Sequence, residues 1–252
     1  ASPSEIELPF AAIRDLDASG FLSLIRERFA ATAIVIGDDF RGGRGRSADA
    51  AEFARAGAAL GVEVATVPAV ADQGGVVSST RVRAALAVGD LSAVASLLGR
   101  NQRVLGVVER GDGRGHRIGI PTANLGQRTN QEPGNGVYAG WAYIGGAGNS
   151  GSGNSDPAKV QVSPTPRIAA AINIGYVPTA GGGRKLTVEA HLIDWLGDCY
   201  GANLSLELVH RLRDEQTFAN FPDLVAHIHR DIARAKKMLR GEFLMEQEAS
   251  EG

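Results

Sequence analysis

A glycine-rich run followed by a hydroxyl and a carboxamide could bind phosphate and a hard metal ion. Residues 111–124 read Gly-Asp-Gly-Arg-Gly-His-Arg-Ile-Gly-Ile-Pro-Thr-Ala-Asn. Backbone amides at Gly111, Gly113 and Gly115, interleaved with Arg114, could face an anion. The run lacks the Gly-x-x-x-x-Gly-Lys-Ser/Thr pattern, so it is not a Walker A loop.

Thr122 and Asn124 lie two residues apart at the end of this run, directly after Pro121. In an extended segment their side chains point the same way. A hydroxyl and a carboxamide oxygen are neutral ligands suited to magnesium that keeps waters and substrate phosphates. The same pattern is also typical of a structural turn before a strand, so both interpretations stand at this point.

Glu189 lies in an alternating stretch, Leu-Thr-Val-Glu-Ala-His-Leu-Ile-Asp at residues 186–194. Alternation predicts a strand with one apolar face and with Thr187, Glu189 and His191 on the other. A carboxylate held on a strand is rigid, as a general base needs to be. The alternative is a glutamate that faces solvent, and His191 is expected to be a surface or hydrogen-bonding residue rather than a metal ligand.

Two further runs combine polar and charged residues. Arg211 and Arg213 belong to Arg-Leu-Arg-Asp-Glu-Gln-Thr-Phe at residues 211–218, either a solvated connector or a loop that closes over a substrate. Ser79 and Thr80 follow a possible helix cap, with Arg83 one turn further on. Free amides at a helix N-terminus bind phosphate, but an ordinary helix cap explains the same pattern.

The elements that must position these residues fall into two halves, which meet near residues 99–103. The first half alternates helix and strand patterns, which predicts an α/β arrangement with a parallel sheet. Its predicted helices are 18–29, 48–60, 78–89 and 90–99, and its strands are 33–36 and 62–70. The second half predicts strands at 103–109, 136–144, 168–174, 185–194 and 204–212, then a helix at 222–240 that ends at Gly241. Several short strands and one helix favour a small closed barrel with a helical tail.

Composition limits the other possibilities. The chain has 26 Lys and Arg against 28 Asp and Glu, so its charge gives no reason to expect a nucleic acid or a membrane surface as partner. The single cysteine, Cys199, excludes an intramolecular disulfide and favours a reduced, cytoplasmic setting. Residues 145–157 are rich in Gly, Asn and Ser and are expected to form a flexible excursion between two strands.

Taken together and in order, these motifs resemble the riboflavin kinase domain of bacterial bifunctional riboflavin kinase/FMN adenylyltransferases, the FAD synthetases. The resemblance covers residues 103–240, and its motifs lie at residues 111–124, 136–139, 171–175, 178–179, 188–192 and 211–215. It implies a six-stranded antiparallel β-barrel with a C-terminal helix. The implied activity is the ATP-dependent phosphorylation of riboflavin to FMN, with riboflavin and ATP as small-molecule partners.

The resemblance also implies roles for single residues. Thr122 and Asn124 correspond to the ligands of Mg²⁺–ATP, and residues 111–117 to a flap over the phosphates. Glu189 corresponds to the base that takes the proton from the ribityl 5′-hydroxyl. Residues 211–215, with Arg211 and Arg213, correspond to a mobile loop near the flavin.

The first half resembles the back part of the family's adenylyltransferase domain, a partial Rossmann-like nucleotidyltransferase segment. There the run that corresponds to Ser79, Thr80 and Arg83 meets ATP phosphates. The His-x-x-His-type motif of that domain does not occur in this sequence. We therefore expect domains at 1–100 and 101–242 with a tail at 243–252, kinase activity, and no FMN adenylylation by the chain as written. A fragment of a bifunctional FAD synthetase and a non-catalytic flavin-binding regulatory protein are the alternatives.

Overall fold

The computed structural model describes residues 6–111, 113, 115, 118–147, 167–178 and 184–250. The chain divides into two compact units, Ala1–Val77 and Ser78–Gly252. Across the described residues, no helix is both long and apolar enough to cross a membrane.

The first unit is an α/β arrangement, as the sequence predicts. Two strands, β1 (Ala33–Gly37) and β4 (Glu63–Val67), pair in parallel, and the core beside them is built from Leu22 and Phe53, both almost fully buried. Asp49 and Glu52 form a reciprocal capping box, so the helix predicted from residue 48 begins at Ala50. The remaining elements are α1 (Phe10–Ile13), α2 (Ala18–Phe29), β2 (Arg41–Gly42), β3 (Ala48–Asp49), α3 (Ala50–Leu60), β5 (Ala71–Asp72) and β6 (Gly75–Val76).

Two short helices open the second unit, α4 (Ser79–Val88) and α5 (Leu91–Leu98). Ser78 caps the first by accepting a hydrogen bond from the backbone of Arg81, and Asp90 caps the second through Ala93. Gly89 lies in the left-handed region with φ of 71°, where glycine ends a helix at low cost. Both helices therefore lie where the cap residues predict them.

Six strands of the second unit close into an antiparallel barrel in the order β10-β11-β8-β7-β12-β9. The strands are β7 (Gln102–Glu109), β8 (Ala123–Gly126), β9 (Gly136–Ala147), β10 (Ile168–Pro178), β11 (Arg184–Leu192) and β12 (Ala202–Arg213). The residue pattern predicts every strand except β8. That strand has four residues, too few to show alternation, and it carries Asn124 of the glycine-rich motif.

The barrel interior is filled mostly by buried aliphatic side chains, together with Tyr138, and a long helix packs outside it. Helix α6 (Phe221–Ser250) buries Ala235 and Leu239 against the outer face of the barrel. Arg213 pairs with Asp231 of this helix at 2.8 Å and ties it to the end of β12. Successive side chains along each strand point alternately into the barrel core and onto the outer surface, where polar side chains can lie.

The predicted end of this helix at Gly241 is wrong, because the helix continues to Ser250. The residues that follow, Glu-Phe-Leu-Met-Glu-Gln-Glu-Ala, include many good helix formers. A glycine inside a helix costs only about 1 kcal/mol relative to alanine, so these neighbours outweigh it.

The predicted domain boundary near residue 100 stays a prediction. The division into compact units falls between Val77 and Ser78, so α4 and α5 belong to the same unit as the barrel. Of the expected excursion at 145–157, residues 145–147 form the end of β9, and the rest lies outside the described residues.

Candidate functional site

A row of polar side chains crosses four neighbouring strands on the outer face of the barrel. Asn124 of β8 lies opposite Glu189 of β11 in the ladder, and Asn173 of β10 lies opposite Glu189 on the other side. Glu109 of β7 lies opposite Asn124. Directly opposite residues have Cβ atoms about 4.5–5.5 Å apart, so the barrel brings the predicted base and a predicted metal ligand side by side.

A polar cavity of about 660 Å³ opens over three residues of this row, Glu109, Asn124 and Glu189. It contains Thr122, Asn124 and Glu189 together with the described glycines of the predicted flap, Gly111, Gly113 and Gly115. Its other lining residues are Glu109, Arg110, Leu125, Gly126, Gln127, Arg128, Glu132, Val177, Lys185, Leu186, Thr187 and Val188. The structure therefore collects most of the predicted phosphate-site residues in one cleft.

Two glycines of the flap lie in close contact with the predicted metal ligands. A Cβ added at Gly111 would lie 2.4–2.7 Å from the amide atoms of Asn124. A Cβ at Gly115 would lie 2.3 Å from the carbonyl oxygen of Ile120 and 3.2 Å from Oγ1 of Thr122. A larger residue at Gly111 would push the carboxamide aside, so the glycine keeps backbone and ligand in contact.

A second, largely apolar cavity of about 420 Å³ lies next to the first, between the barrel and α6. Its apolar and aromatic lining residues are Ile118, Ile120, Val137, Ala171, Ile172, Phe218, Phe221, Leu224, Ile228 and Ile232. Its polar lining residues include Asn173, His191, Arg213, Glu215, Gln216 and Asp231. A mostly apolar cleft with a few polar groups suits a flat organic ring system with a polar edge.

The two cavities share three lining residues, Gly115, Thr122 and Glu189. The predicted base and one predicted metal ligand thus stand where the polar cleft meets the apolar one. A group that bridges the two clefts would pass beside both side chains.

His191 fastens the segment that carries Thr122 to the strand that carries Glu189. Its Nδ1 lies 2.9 Å from the backbone oxygen of Pro121. Because a carbonyl oxygen only accepts, Nδ1 is the donor and carries the proton. The prediction of a hydrogen-bonding histidine fits this contact, and Pro121 contributes its carbonyl rather than its ring.

Arg211 lies away from both cavities. Its Nη2 donates to the backbone oxygen of Asn135 at 2.7 Å, and its Nη1 donates to that of Val88 at 3.2 Å. Nη1 also pairs with Asp214 at 3.0 Å. The side chain thus connects β12 to the end of α4 and does not line the apolar cavity, where the prediction of a loop near the flavin would place it.

Tyr138 lies beside Arg211 and donates its hydroxyl hydrogen bond to the carbonyl of Gly134. Burial raises the pKa of the Tyr138 hydroxyl above its usual value. The Tyr138 hydroxyl beside Arg211 is therefore a neutral hydrogen-bond donor.

Arg213 does reach the apolar cavity. Its guanidinium pairs with Asp231 and lies 5.6 Å from the ring centre of Phe218. The ring of Phe218 in turn lies 4.7 Å from that of His227. The arginine therefore orders the aromatic wall of the apolar cavity.

The remaining predicted residues are not joined to this site. Ser79, Thr80 and Arg83 are exposed on α4 and line neither cavity. Arg114 falls outside the described residues.

The oxygen donors of Thr122 and Asn124 suit a hard divalent cation, although they do not form a complete set of protein ligands. Within the part of the chain that the structure describes, no three His, Cys, Asp or Glu side chains are grouped to hold a metal ion. Thr122 and Asn124 offer one neutral oxygen each, and both line the polar cavity. Mg²⁺ usually keeps several waters and is completed by substrate phosphates, so such a sparse set is compatible with it.

Several site residues escape analysis of the sequence. Glu109 and Lys185 line the polar cavity, and Phe221 lines the apolar one. Glu109 is the last residue of a strand with strict alternation, so its outward direction is readable from the pattern. The sequence pattern does not show that Glu109 lies opposite Asn124, because β8 itself is not recognisable as a strand.

The chain is similar in sequence to proteins of flavin metabolism. The sequence model of the family "Riboflavin kinase" matches residues 98–239, and that of "FAD synthetase" matches residues 7–81. The bifunctional riboflavin kinase/FMN adenylyltransferase of Escherichia coli strain K12 is 35% identical over 223 residues, which cover 88% of this chain and 65% of the relative. The enzyme of the same description from Pseudomonas fluorescens is 33% identical over 227 residues, 90% of this chain and 67% of the relative.

A solved structure is also similar over most of the chain. The crystal structure described as a macrolide-efflux protein from Streptococcus pneumoniae matches with a TM-score of 0.68 and 27% identity, over 88% of this chain and 66% of that one. This chain therefore spans about two thirds of the length of each of these three proteins.

Proposed function

Because the chain belongs to the riboflavin kinase family, we propose that it transfers the γ-phosphoryl group of ATP to the ribityl 5′-hydroxyl of riboflavin and forms FMN. The observation that carries this proposal is the meeting of a polar and an apolar cavity at Thr122 and Glu189. A kinase for a flavin needs one cleft for a charged nucleotide and one for an apolar ring system, with the reacting atoms where they meet.

In this proposal ATP occupies the polar cavity and riboflavin the apolar one. Backbone at Gly111, Gly113 and Gly115 lines the side where the phosphates would lie, and amides directed at an anion stabilise it. The isoalloxazine ring would lie against Phe218 and Phe221, and its ribityl chain would point towards Glu189.

Glu189 acts as the general base. Its neighbours in the ladder, Asn124 and Asn173, are uncharged, so no like charge lies directly opposite it. Strand pairing on both sides fixes the backbone, and a fixed carboxylate can align the hydroxyl and take its proton as the bond to phosphorus forms. A general base contributes about 10²–10⁴-fold to the rate.

Phosphoryl transfer otherwise depends on positioning and on neutralising charge. Thr122 and Asn124 would hold Mg²⁺ together with the phosphates. The ion, when bound, would neutralise charge on the transferred group. The bond from His191 to Pro121 keeps the Thr122 segment against the strand of Glu189.

A second candidate function rests on the match to FAD synthetase at residues 7–81 and on the bifunctional relatives. In that case the chain corresponds to part of an enzyme that also adenylylates FMN. Ser79, Thr80 and Arg83 are exposed on α4 and accessible to a nucleotide. Without a His-x-x-His-type motif in the sequence, we infer that this chain forms FMN but not FAD.

A flavin-binding protein without turnover would need the clefts but not the reacting groups. The presence of Glu189 at the junction of the clefts favours an enzyme.

A single cysteine, Cys199, in an otherwise thiol-free chain fits a reduced, cytoplasmic compartment.

One assay separates these functions. The protein is supplied with riboflavin, ATP and Mg²⁺, and FMN, FAD and ADP are resolved by chromatography. FMN with equal ADP and no FAD is the expected result. FAD would assign adenylylation to this chain, and bound riboflavin without ADP would make it a binding protein.

A further inference from the structure

The polar cavity extends beyond the place where it meets the apolar one. If the γ-phosphoryl group lies beside Thr122 and Glu189, as the proposed function requires, the nucleoside of ATP lies in the rest of the cavity. Lining residues of the cavity that the apolar cavity does not share include Glu109, Gly126, Gln127, Arg128, Glu132, Val177, Lys185 and Leu186. The groups there decide which nucleotide is accepted.

Glu109 stands out in this part because of its place on the sheet. It is the outward-facing last residue of β7 and lies opposite Asn124. Its carboxylate rests directly on the backbone of Gly126, since a Cβ added there would lie 1.9 Å from Cδ and 2.1–2.2 Å from the two oxygens. Glycine at 126 therefore provides the space in which this carboxylate lies at the cavity wall.

Two of the neighbouring charged side chains, Arg128 and Glu132, are already engaged. Arg128 pairs with Glu132 and also donates to the backbone oxygens of Leu125 at 2.8 Å and Leu186 at 3.1 Å. The carboxylate of Glu109, by contrast, has no hydrogen bond or ion pair with any residue that the structure describes. An ionised carboxylate only accepts hydrogen bonds, so a ligand that satisfies it must bring donors.

We propose that Glu109 accepts hydrogen bonds from the 2′- and 3′-hydroxyls of the ATP ribose and makes the enzyme selective for ribonucleotides. This inference rests on the proposed function, which sets the direction of the nucleotide. The carboxylate rests against Gly126, two residues after Asn124 on β8, and ribose hydroxyls, unlike phosphates, are neutral donors that it does not repel. Two carboxylate oxygens match two adjacent hydroxyls, the chemistry by which acidic residues bind ribose in dinucleotide folds.

The spacing of the strands agrees with this placement. Glu189 and Glu109 lie on β11 and β7, which are separated by β8 alone. With strands about 4.8 Å apart, the two Cα atoms lie about 10 Å from each other across the sheet. A triphosphate chain that starts beside Glu189 is therefore long enough to place the ribose beside Glu109.

The test compares ATP, 2′-deoxy-ATP, 3′-deoxy-ATP and inosine triphosphate as substrates of the wild type and of Glu109→Ala. Calorimetric binding of ADP and 2′-deoxy-ADP in the presence of Mg²⁺ provides a second readout. Hydrogen bonds to a charged group correspond to about tenfold or more, so the wild type should prefer ATP to 2′-deoxy-ATP by at least that ratio. The variant should lose affinity for ATP and ADP and lose the preference. Its loss with each monodeoxynucleotide should be smaller than its loss with ATP, because only one hydroxyl is left there to lose its acceptor.

Glu63→Ala is the matched control, because Glu63 is an exposed strand glutamate in the other unit and should leave every ratio unchanged. Gly126→Ala displaces the Glu109 carboxylate without removing it, and should weaken the ribose preference in the same way. Glu109→Ala together with Gly126→Ala should then lower the preference no further than Glu109→Ala alone.

An unchanged preference for ATP in Glu109→Ala would overturn the assignment, as would a wild type that accepts both sugars equally. A loss of the preference for ATP over inosine triphosphate, with ribose preference intact, would assign Glu109 to the base and also overturn it. If the wild type forms no FMN but binds ADP tenfold better than 2′-deoxy-ADP through Glu109, the proposed function fails and the assignment of Glu109 stands. If FMN forms normally and Glu109→Ala does not alter the preference for ATP over the deoxynucleotides, only the assignment of Glu109 is overturned and the proposed function stands.

Discussion

The bond from His191 to Pro121 connects the strand of the proposed base to the segment of a proposed metal ligand. Nδ1 of His191 donates to the backbone oxygen of Pro121 at 2.9 Å, one residue before Thr122. If this bond orders the Thr122 segment, its loss should weaken the use of Mg²⁺–ATP. Replacement of His191 by Asn and by Gln separates the bond from the ring, because both variants lose the imidazole.

The size of the effect follows from the bond. A neutral hydrogen bond contributes about 0.5–1.5 kcal/mol net, and about 1.36 kcal/mol is tenfold in a rate or equilibrium constant. His191→Gln should therefore lower kcat/KM for ATP by about 2- to 13-fold relative to His191→Asn. The asparagine amide nitrogen occupies nearly the place of Nδ1 and keeps the donor, whereas the glutamine amide is one bond too far out.

Steady-state kinetics with ATP varied at saturating riboflavin measures this difference. Affinity for riboflavin serves as the internal control, since His191 also lines the apolar cavity and both variants lose that contact equally. Equal kcat/KM for ATP in the two variants would refute the positioning role of His191.

Two further predictions concern the walls of the clefts. Gly111→Ala places a Cβ within 2.4–2.7 Å of the Asn124 amide, so kcat/KM for ATP should fall by up to about 10²-fold while riboflavin binding persists; kinetics that match the wild type would contradict the close contact. Asp231→Ala leaves the partly buried Arg213 without its partner on α6, so the free energy of unfolding should fall by about 1.5–3 kcal/mol in urea denaturation, and the KM for riboflavin should rise. An unchanged urea midpoint would show that the pair does not hold the helix.

The strand pattern predicts much of the barrel from the sequence. Alternation at residues 186–194 assigns Val188 and Ala190 to the core and Glu189 to the outer face, and the structure agrees. Helix caps at Ser78 and Asp90 likewise locate α4 and α5. These features are readable because each depends on residues that are close in the sequence.

The rest depends on pairing between distant segments. Strand β8 is too short to show a period, so the position of Asn124 opposite both Glu189 and Glu109 is not deducible from the chain. Arg211 and Arg213 are two residues apart and look equivalent in sequence, yet one ties β12 to α4 and the other reaches the apolar cavity. Several register shifts between β12 and β9 accompany this difference, and no local pattern encodes them.

The most direct test of the proposed chemistry is the turnover of Glu189→Ala with its riboflavin affinity measured in parallel. Fluorescence titration should give riboflavin binding close to that of the wild type, because Glu189 forms only the edge of the apolar cavity. The rate of FMN formation at saturating riboflavin and ATP should fall by about 10²–10⁴-fold. Turnover at the wild-type rate would contradict the assignment of Glu189 as the base, and with it the account of how the two clefts cooperate.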